Sequence, residues 1–310
     1  MASPALLALG ALLAFVFGWN NSAFLIGSGE GSGSLTLREA LLVSTTGLLL
    51  GVLLEGPKMA KSLSGSITPS AGDDVVAVAL AVSLAMTLSL SLLKLPVSFS
   101  TALVGAFTGA ACARSLPLDG ARLEEIVGFW FLAAMLAAGL SYAIYRAFLR
   151  ATPRLGLLTL DGVSRYGVII TSLVIAYVLG ANNVGLIYGM TINGGSASLP
   201  DLLLVVLVAI LGMVALGRGS IAGTVGDRLL GLSPFGVVAT FLSSALLIWA
   251  GTQLAIPISI SQCLMGGMFG AALTSRVSVV NTRLAAESVG SWVAVPLASF
   301  LVAYLLIILA

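Results

Sequence analysis

Residues 94–109 read KLPVSFSTALVGAFTG, and residues 255–270 read AIPISISQCLMGGMFG. Each has a proline, then two serines separated by one apolar residue, then a run of small residues. Pro96 and Pro257 stand 161 positions apart, and the spacing recurs along the chain. Gly51 and Gly56 return as Gly212 and Gly217, and Gly105 and Gly109 return as Gly266 and Gly270. At the same offset or one more, Gly18-Trp19-Asn20-Asn21 returns as Gly180-Ala181-Asn182-Asn183. Glu125, Gly128 and Trp130 return in the same way as Glu287, Gly290 and Trp292. One such match is chance, but a nearly constant offset along the whole chain is duplication. The reading is a first membrane repeat over 1–150, a linker over 151–165 and a second repeat over 166–310.

Composition says what surrounds these repeats. Of 310 residues, 59% are hydrophobic and 8% charged, with mean hydropathy +1.13. A soluble domain has about 25% charged residues, so this chain is solvated by lipid. A net charge of +2 without a basic cluster excludes a nucleic-acid partner. The length of a bilayer-spanning helix predicts five segments per half, at about 4–27, 36–54, 75–93, 96–113 and 126–148, then 166–191, 199–217, 235–255, 257–274 and 287–309. Five is odd, so the second half enters the membrane in the opposite sense. Arg146, Arg150, Arg154 and Arg165 against Asp161 place the linker in the cytoplasm and both termini outside. The second half agrees, with Arg218, Arg228, Arg276 and Arg283 in inner loops, whereas Lys58 and Lys61 fall outside beside Glu55, Asp73 and Asp74.

The repeated polar islands are the candidate sites. Backbone polar groups in lipid must be satisfied by protein or by a water-filled cavity. Asn20-Asn21 and Asn182-Asn183, inside apolar segments, are therefore expected to interrupt their helices near the midplane. In the proline-serine islands, proline opens a helix and the serines cap its free N–H groups. Two such N-termini related by a pseudo-two-fold axis converge on one tetrahedral oxyanion without needing arginine. The paired glycines at four-residue spacing read as helix-packing surfaces. Residues 27–34, rich in glycine and serine, read as an irregular connector, and Glu125 and Glu287 as helix-end electrostatics. Cys112 and Cys263 sit in apolar runs that suggest neither a disulfide nor a metal site, and the chain has no histidine. No nucleophile or paired carboxylate stands at membrane depth, so the sequence does not read as an enzyme.

These residues resemble the inorganic phosphate transporter (PiT) family, whose halves each carry a G-A-N-D-V-A-N-A-like and a P-V-S-T-T-H-like signature. The first corresponds to Gly18–Ala23 and Gly180–Gly185, the second to Pro96–Thr101 and Pro257–Gln262. Gly56-Pro57-Lys58 through Gly65 resembles a further family stretch, answered by Thr224-Val225-Gly226 in the second half. The resemblance implies a secondary transporter that moves phosphate with a coupling cation, sodium or proton. It implies that Ser98, Ser100, Thr101, Ser259, Ser261 and Gln262 face the anion together with Asn20 and Asn182. Asn21 and Asn183 take the places of the family's aspartates, which are associated with cation binding, so the implied sodium site loses its carboxylates. Phe99 and Ile260 each replace a signature hydroxyl, and Thr101 and Gln262 replace histidines.

The resulting expectation is an all-α polytopic membrane protein of about ten membrane segments, in two inverted-topology repeats with broken or re-entrant helices. It carries inorganic phosphate by alternating access as a cation-coupled symporter. The alternatives are a permease for sulfate or another tetrahedral oxyanion and, in a different class, an anion channel. No cofactor beyond a coupling sodium ion or proton is implied. Membrane lipid is the surrounding partner, and a homodimer is among the assemblies left open.

Overall fold

The computed structural model describes residues 3–63, 65–68, 71–93, 98–154, 156–193, 195, 198–216, 232–274 and 282–309. Pro96, Val97, Gly217, Arg218, the Thr224–Gly226 stretch, Arg228 and Arg276 lie outside these residues. The described residues are helical and contain no strand. In the first half the helices are α1 (Pro4–Gly31), α2 (Leu37–Glu55), α3 (Asp73–Leu92), α4 (Phe99–Ala113) and α5 (Gly120–Ala151). In the second they are α6 (Leu157–Leu179), α7 (Gly185–Ile192), α8 (Leu199–Leu216), α9 (Pro234–Gln253), α10 (Ile260–Thr274) and α11 (Thr282–Leu309). A 3-10 turn, Gly56–Lys61, follows α2, and a π-helical turn, Gly180–Val184, joins α6 to α7. Each of the ten expected segments is present. Among the described residues, seven helices are long and apolar enough to cross a membrane, counting α6 to α7 as one.

The shorter apolar helices organise the fold. At about 1.5 Å per residue, the 15 residues of α4 and of α10 span about 22 Å, less than the roughly 30 Å hydrocarbon core. The bases of the two hairpins to which they belong lie at opposite ends of α5. Near its start, the Asp119 amide donates to the Ile67 carbonyl at 2.9 Å, and Arg114 after α4 pairs with Asp74 on α3 at 2.7 Å. Near its end, Tyr145 Oη and Ser233 Oγ, the latter on the N-cap of α9, lie 2.7 Å apart. From there α9 runs back along α5 until Arg122 Nη2 reaches the Leu254 and Ala255 carbonyls at 3.0 and 2.9 Å. The chain then turns at Ala255 (φ 50°), and residues 256–259 carry it back towards the centre before α10 begins. Hairpins α3–α4 and α9–α10 thus enter from opposite sides, which is the inverted arrangement.

The two halves are interleaved. Helix α4 packs on α11 while α10 packs on α5, and α1 packs on α8 while α2 packs on α6. Glycine makes these crossings close: a Cβ at Gly105 or Gly109 would collide with the Pro296 or Phe300 carbonyl oxygen of α11. At the answering positions Gly266 and Gly270, it would collide with the Ala134 or Ala138 carbonyl oxygen of α5. The glycine pairs are packing surfaces, as read from the sequence. Without a hydrophobic drive between helices in lipid, such backbone approach is what gives the bundle its van der Waals cohesion.

Two expectations are corrected. Asn20 and Asn21 do not interrupt α1, which continues as one helix of 28 residues to Gly31. The Asn21 side chain turns back on its own helix and donates to the Phe17 carbonyl at 2.9 Å, so this amide needs no break. Residues 27–34 are likewise not all connector, because α1 includes Gly27 to Gly31. The chain leaves the helix at Gly33, whose φ of 72° suits glycine, and Leu35 N folds back to the Gly29 carbonyl at 3.1 Å.

Candidate functional site

The N-termini of α4 and α10 begin at depth and meet. Ser98 is the N-cap of α4, its Oγ accepting from Thr101 N at 3.3 Å while Thr101 Oγ1 donates to the Ser98 carbonyl at 2.9 Å. Ser259 does the same for α10, its Oγ accepting from Gln262 N at 3.3 Å and lying 3.3 Å from Ser261 Oγ. Across the junction, Ser100 Oγ donates to the Ile258 carbonyl at 2.8 Å. Trp130 on α5 steadies the approach by donating to the Pro257 carbonyl at 2.7 Å. The first turns of both helices carry N–H groups without intrahelical partners, and both dipoles present their positive ends to the junction.

The asparagines of the second half complete this junction. Asn182 Nδ2 donates to Thr252 Oγ1 at 3.1 Å and to the Ile256 carbonyl at 3.0 Å, and its Oδ1 accepts from Ile258 N at 3.0 Å. Asn183 Nδ2 donates to the Ile258 carbonyl at 3.0 Å. Both amides thus hold the extended stretch before α10, and the helix carrying them widens into the π turn. Such turns are frequent at functional sites.

In the first half, Asn20 Nδ2 donates to Ser91 Oγ at 2.7 Å, and Ser91 Oγ donates to the Thr87 carbonyl at 2.6 Å. This mirrors Asn182 and Thr252, whose Oγ1 donates to the Ile248 carbonyl at 2.9 Å. Ser91 and Thr252 were missed in the sequence reading, although they stand 161 apart like the other repeated residues. Phe99, replacing a hydroxyl of the resembling signature, packs edge-on against Phe17 with centroids 5.1 Å apart.

All ten sequence-derived site residues are buried, none more than 4% exposed. Ser100, Asn182 and Asn183 bond to Ile258, and its neighbour Ser259 lies against Ser261, whereas Ser98 caps α4 through Thr101 and the side chains of Asn20 and Asn21 bond to α3 and back to α1. Several polar atoms there have no hydrogen-bond partner among the described residues: Asn183 Oδ1, both amide atoms of Gln262, and Thr87 Oγ1. Leaving such groups unpaired costs about 1–3 kcal/mol each, which a bound polar ligand offsets. Among the described residues the buried polar side chains are all neutral, and there is no cluster of three acidic, cysteine or histidine side chains able to hold a metal ion. For a sodium ion, the residues present fit only as neutral oxygen ligands, with Asn183 Oδ1 and Gln262 Oε1 both without a partner among the described residues.

A neutral polar core, held at depth between two inverted repeats and built on helix N-termini, is the architecture of a membrane transporter. The chain belongs to the phosphate transporter family, whose profile matches residues 17–158 and again 158–303. It is 24% identical over 302 residues to a "putative phosphate permease" of Methanocaldococcus jannaschii, covering 95% of this chain and 93% of that one. It is 23% identical over 296 residues to the sulfate permease CysP of Bacillus subtilis, covering 94% and 83%. A solved structure, a sodium-dependent phosphate transporter, superposes with a TM-score of 0.80 at 18% identity over 97% of this chain and 98% of that one. The protein is thus a multi-pass membrane protein of a family of transporters, not of enzymes.

Proposed function

We propose that this protein carries inorganic phosphate across the membrane by alternating access, with sodium as the coupling ion. The observation that carries the reading is the junction at Ile258, where the N-terminal ends of two helices entering from opposite sides share a contact between Ser100 and the Ile258 carbonyl. Helix N-termini, hydroxyls and amides are anion ligands that need no fixed positive charge. Ser98, Ser100 and Thr101 with Ser259, Ser261, Gln262 and the Asn20 and Asn182 amides would surround the oxyanion. Asn21 and Asn183 would supply carbonyl oxygens to sodium. One helical bundle would rock against the other, each drawing helices from both halves of the chain, with the 151–165 linker in the cytoplasm and both termini outside. The sodium-dependent phosphate transporter with the same fold supports the choice of cation.

A second reading is sulfate transport, favoured by the sulfate permease relative and by a core in which the described residues bury no carboxylate or cation. Uptake of labelled phosphate into proteoliposomes, with and without an inward sodium gradient and with excess sulfate, tests both. Sodium-stimulated uptake that sulfate leaves untouched is the expected result. Uptake abolished by the excess sulfate, together with direct sulfate accumulation, would transfer the assignment to sulfate. Unitary currents without counterflow exchange would instead make the protein an anion channel.

A further inference from the structure

Far from the central junction, a cavity of about 360 Å³ opens at the C-terminal ends of α5 and α10. Tyr142, Arg146, Leu149 and Arg150 line it from α5, and Leu273 and Thr274 from α10. Arg146 is preorganised: it donates to Tyr142 Oη at 2.6 Å and its guanidinium carbon lies 5.4 Å from the ring centroid. Neither Arg146 nor Arg150 has an ion pair among the described residues, although Arg114, Arg122, Arg165 and Lys58 each have one. Among the described residues no carboxylate lines the cavity. The helix C-termini bring only partial negative charges, about half a unit each, against two full positive ones.

The apolar part of the lining shows which anion fits. Leu273 is 77% exposed and Leu149 48% exposed. They continue an exposed apolar face of α5 that includes Phe131, Leu132, Met135 and Leu136. A free inorganic ion has no use for such a face, whereas a phospholipid places its phosphate on the guanidiniums and its acyl chains along the leucines. Arginine suits this because its planar fork matches phosphate oxygens and its stem lies along apolar surface. We propose that this cavity is a binding site for an anionic phospholipid, such as phosphatidylglycerol, independent of the anion carried at the centre. A cytoplasmic location of this end, as the arginine distribution implies, would put the site against the inner leaflet.

Native mass spectrometry of the full-length protein in detergent tests this, with phosphatidylglycerol, phosphatidylcholine and inorganic phosphate as separate probes. Each arginine is expected to contribute about fivefold to affinity. Arg146→Gln with Arg150→Gln should therefore weaken the phosphatidylglycerol adduct by about 25-fold, while Arg154→Gln, outside the cavity, leaves it unchanged. Arg146→Lys should retain part of the affinity, and gel filtration of every variant checks that it is folded. Equal binding of phosphatidylcholine, an unaltered adduct in the double variant, or displacement by millimolar inorganic phosphate would overturn the proposal. Loss of a dimer mass in the double variant without any lipid adduct would also overturn it, assigning this face to a second copy of the chain.

Discussion

Ser100 and Asn183, from opposite halves of the chain, donate to the same oxygen, the Ile258 carbonyl, at 2.8 and 3.0 Å. One contact therefore ties the start of α4, the π turn and the stretch before α10. Shared acceptance also makes the three groups easy to separate by mutation. With Ser100→Ala, the carbonyl keeps Asn183 as its donor, so the stability cost is about 1 kcal/mol or less. Transport should suffer more, by about tenfold, because the lost hydroxyl is a proposed anion ligand. Thermal unfolding in detergent and proteoliposome uptake on the same preparation check the two expectations. A large loss of stability with unchanged uptake would make Ser100 a structural residue.

Much of this arrangement was legible in sequence, because duplication converts weak signals into paired ones. The glycine seams and the serine caps of α4 and α10 rest on spacing that recurs, the ten segments on the length of apolar runs, and each is present. The helix at Asn20-Asn21 was misread because the sequence does not show where an amide finds its partner. Asn21 finds Phe17 one turn back in its own helix, while Asn183 finds Ile258, 75 residues on. Two similar motifs thus have different local structure, and only tertiary contacts decide between them. Ser91 and Thr252 stayed unread for another reason: a lone hydroxyl in an apolar helix most often bonds to its own backbone. Both do that, yet both also accept an asparagine amide.

The two leading asparagines should differ sharply in cost. Asn20→Leu removes one side-chain bond, to Ser91, which keeps the Thr87 carbonyl, so the expected loss is about 1 kcal/mol. Asn182→Leu strands the Ile256 carbonyl and the Ile258 amide in a buried setting, for an expected loss of about 2–4 kcal/mol. Denaturant titration of both variants in one detergent measures the difference. Equal losses would mean that the Asn182 bonds to the stretch before α10 do not hold it in place.

Introducing charge at the π turn tests the cation assignment. Asn183 is fully buried, its Oδ1 has no partner among the described residues and its Nδ2 donates to the Ile258 carbonyl. Asn183→Asp replaces that donor with an oxygen, setting two oxygens against each other and burying a negative charge, so the variant should melt well below the parent without sodium. If a sodium ion sits between those oxygens, binding restores stability by RT ln(1 + [Na⁺]/Kd), about 2.7 kcal/mol at a hundredfold excess over Kd. A melting temperature raised by sodium but not by equal choline is the expected signature, steeper than in the parent. Indifference to sodium would detach this position from the cation site.

The glycine seams predict opposite signs at positions that look alike in sequence. Gly105 and Gly128 both lie within apolar membrane helices, and both recur in the second half, as Gly266 and Gly290. A Cβ at Gly105 runs into the Pro296 carbonyl, which is backbone and cannot rotate away, whereas one at Gly128 meets nothing within 4 Å. Gly105→Ala must therefore push α4 from α11, with an expected loss of about 2 kcal/mol or more, in line with overpacking of a close interface. Because α4 carries Ser98 and Ser100, the same shift should reduce uptake. Gly128→Ala leaves packing alone and restricts only the unfolded chain, for an expected gain of about 0.5–1 kcal/mol. The repeat extends the test, since Gly266→Ala should behave like Gly105→Ala and Gly290→Ala like Gly128→Ala. If Gly105→Ala and Gly128→Ala shift the unfolding midpoint equally, helix propensity rather than the α4–α11 approach governs these positions, and the crossing is looser than its geometry requires.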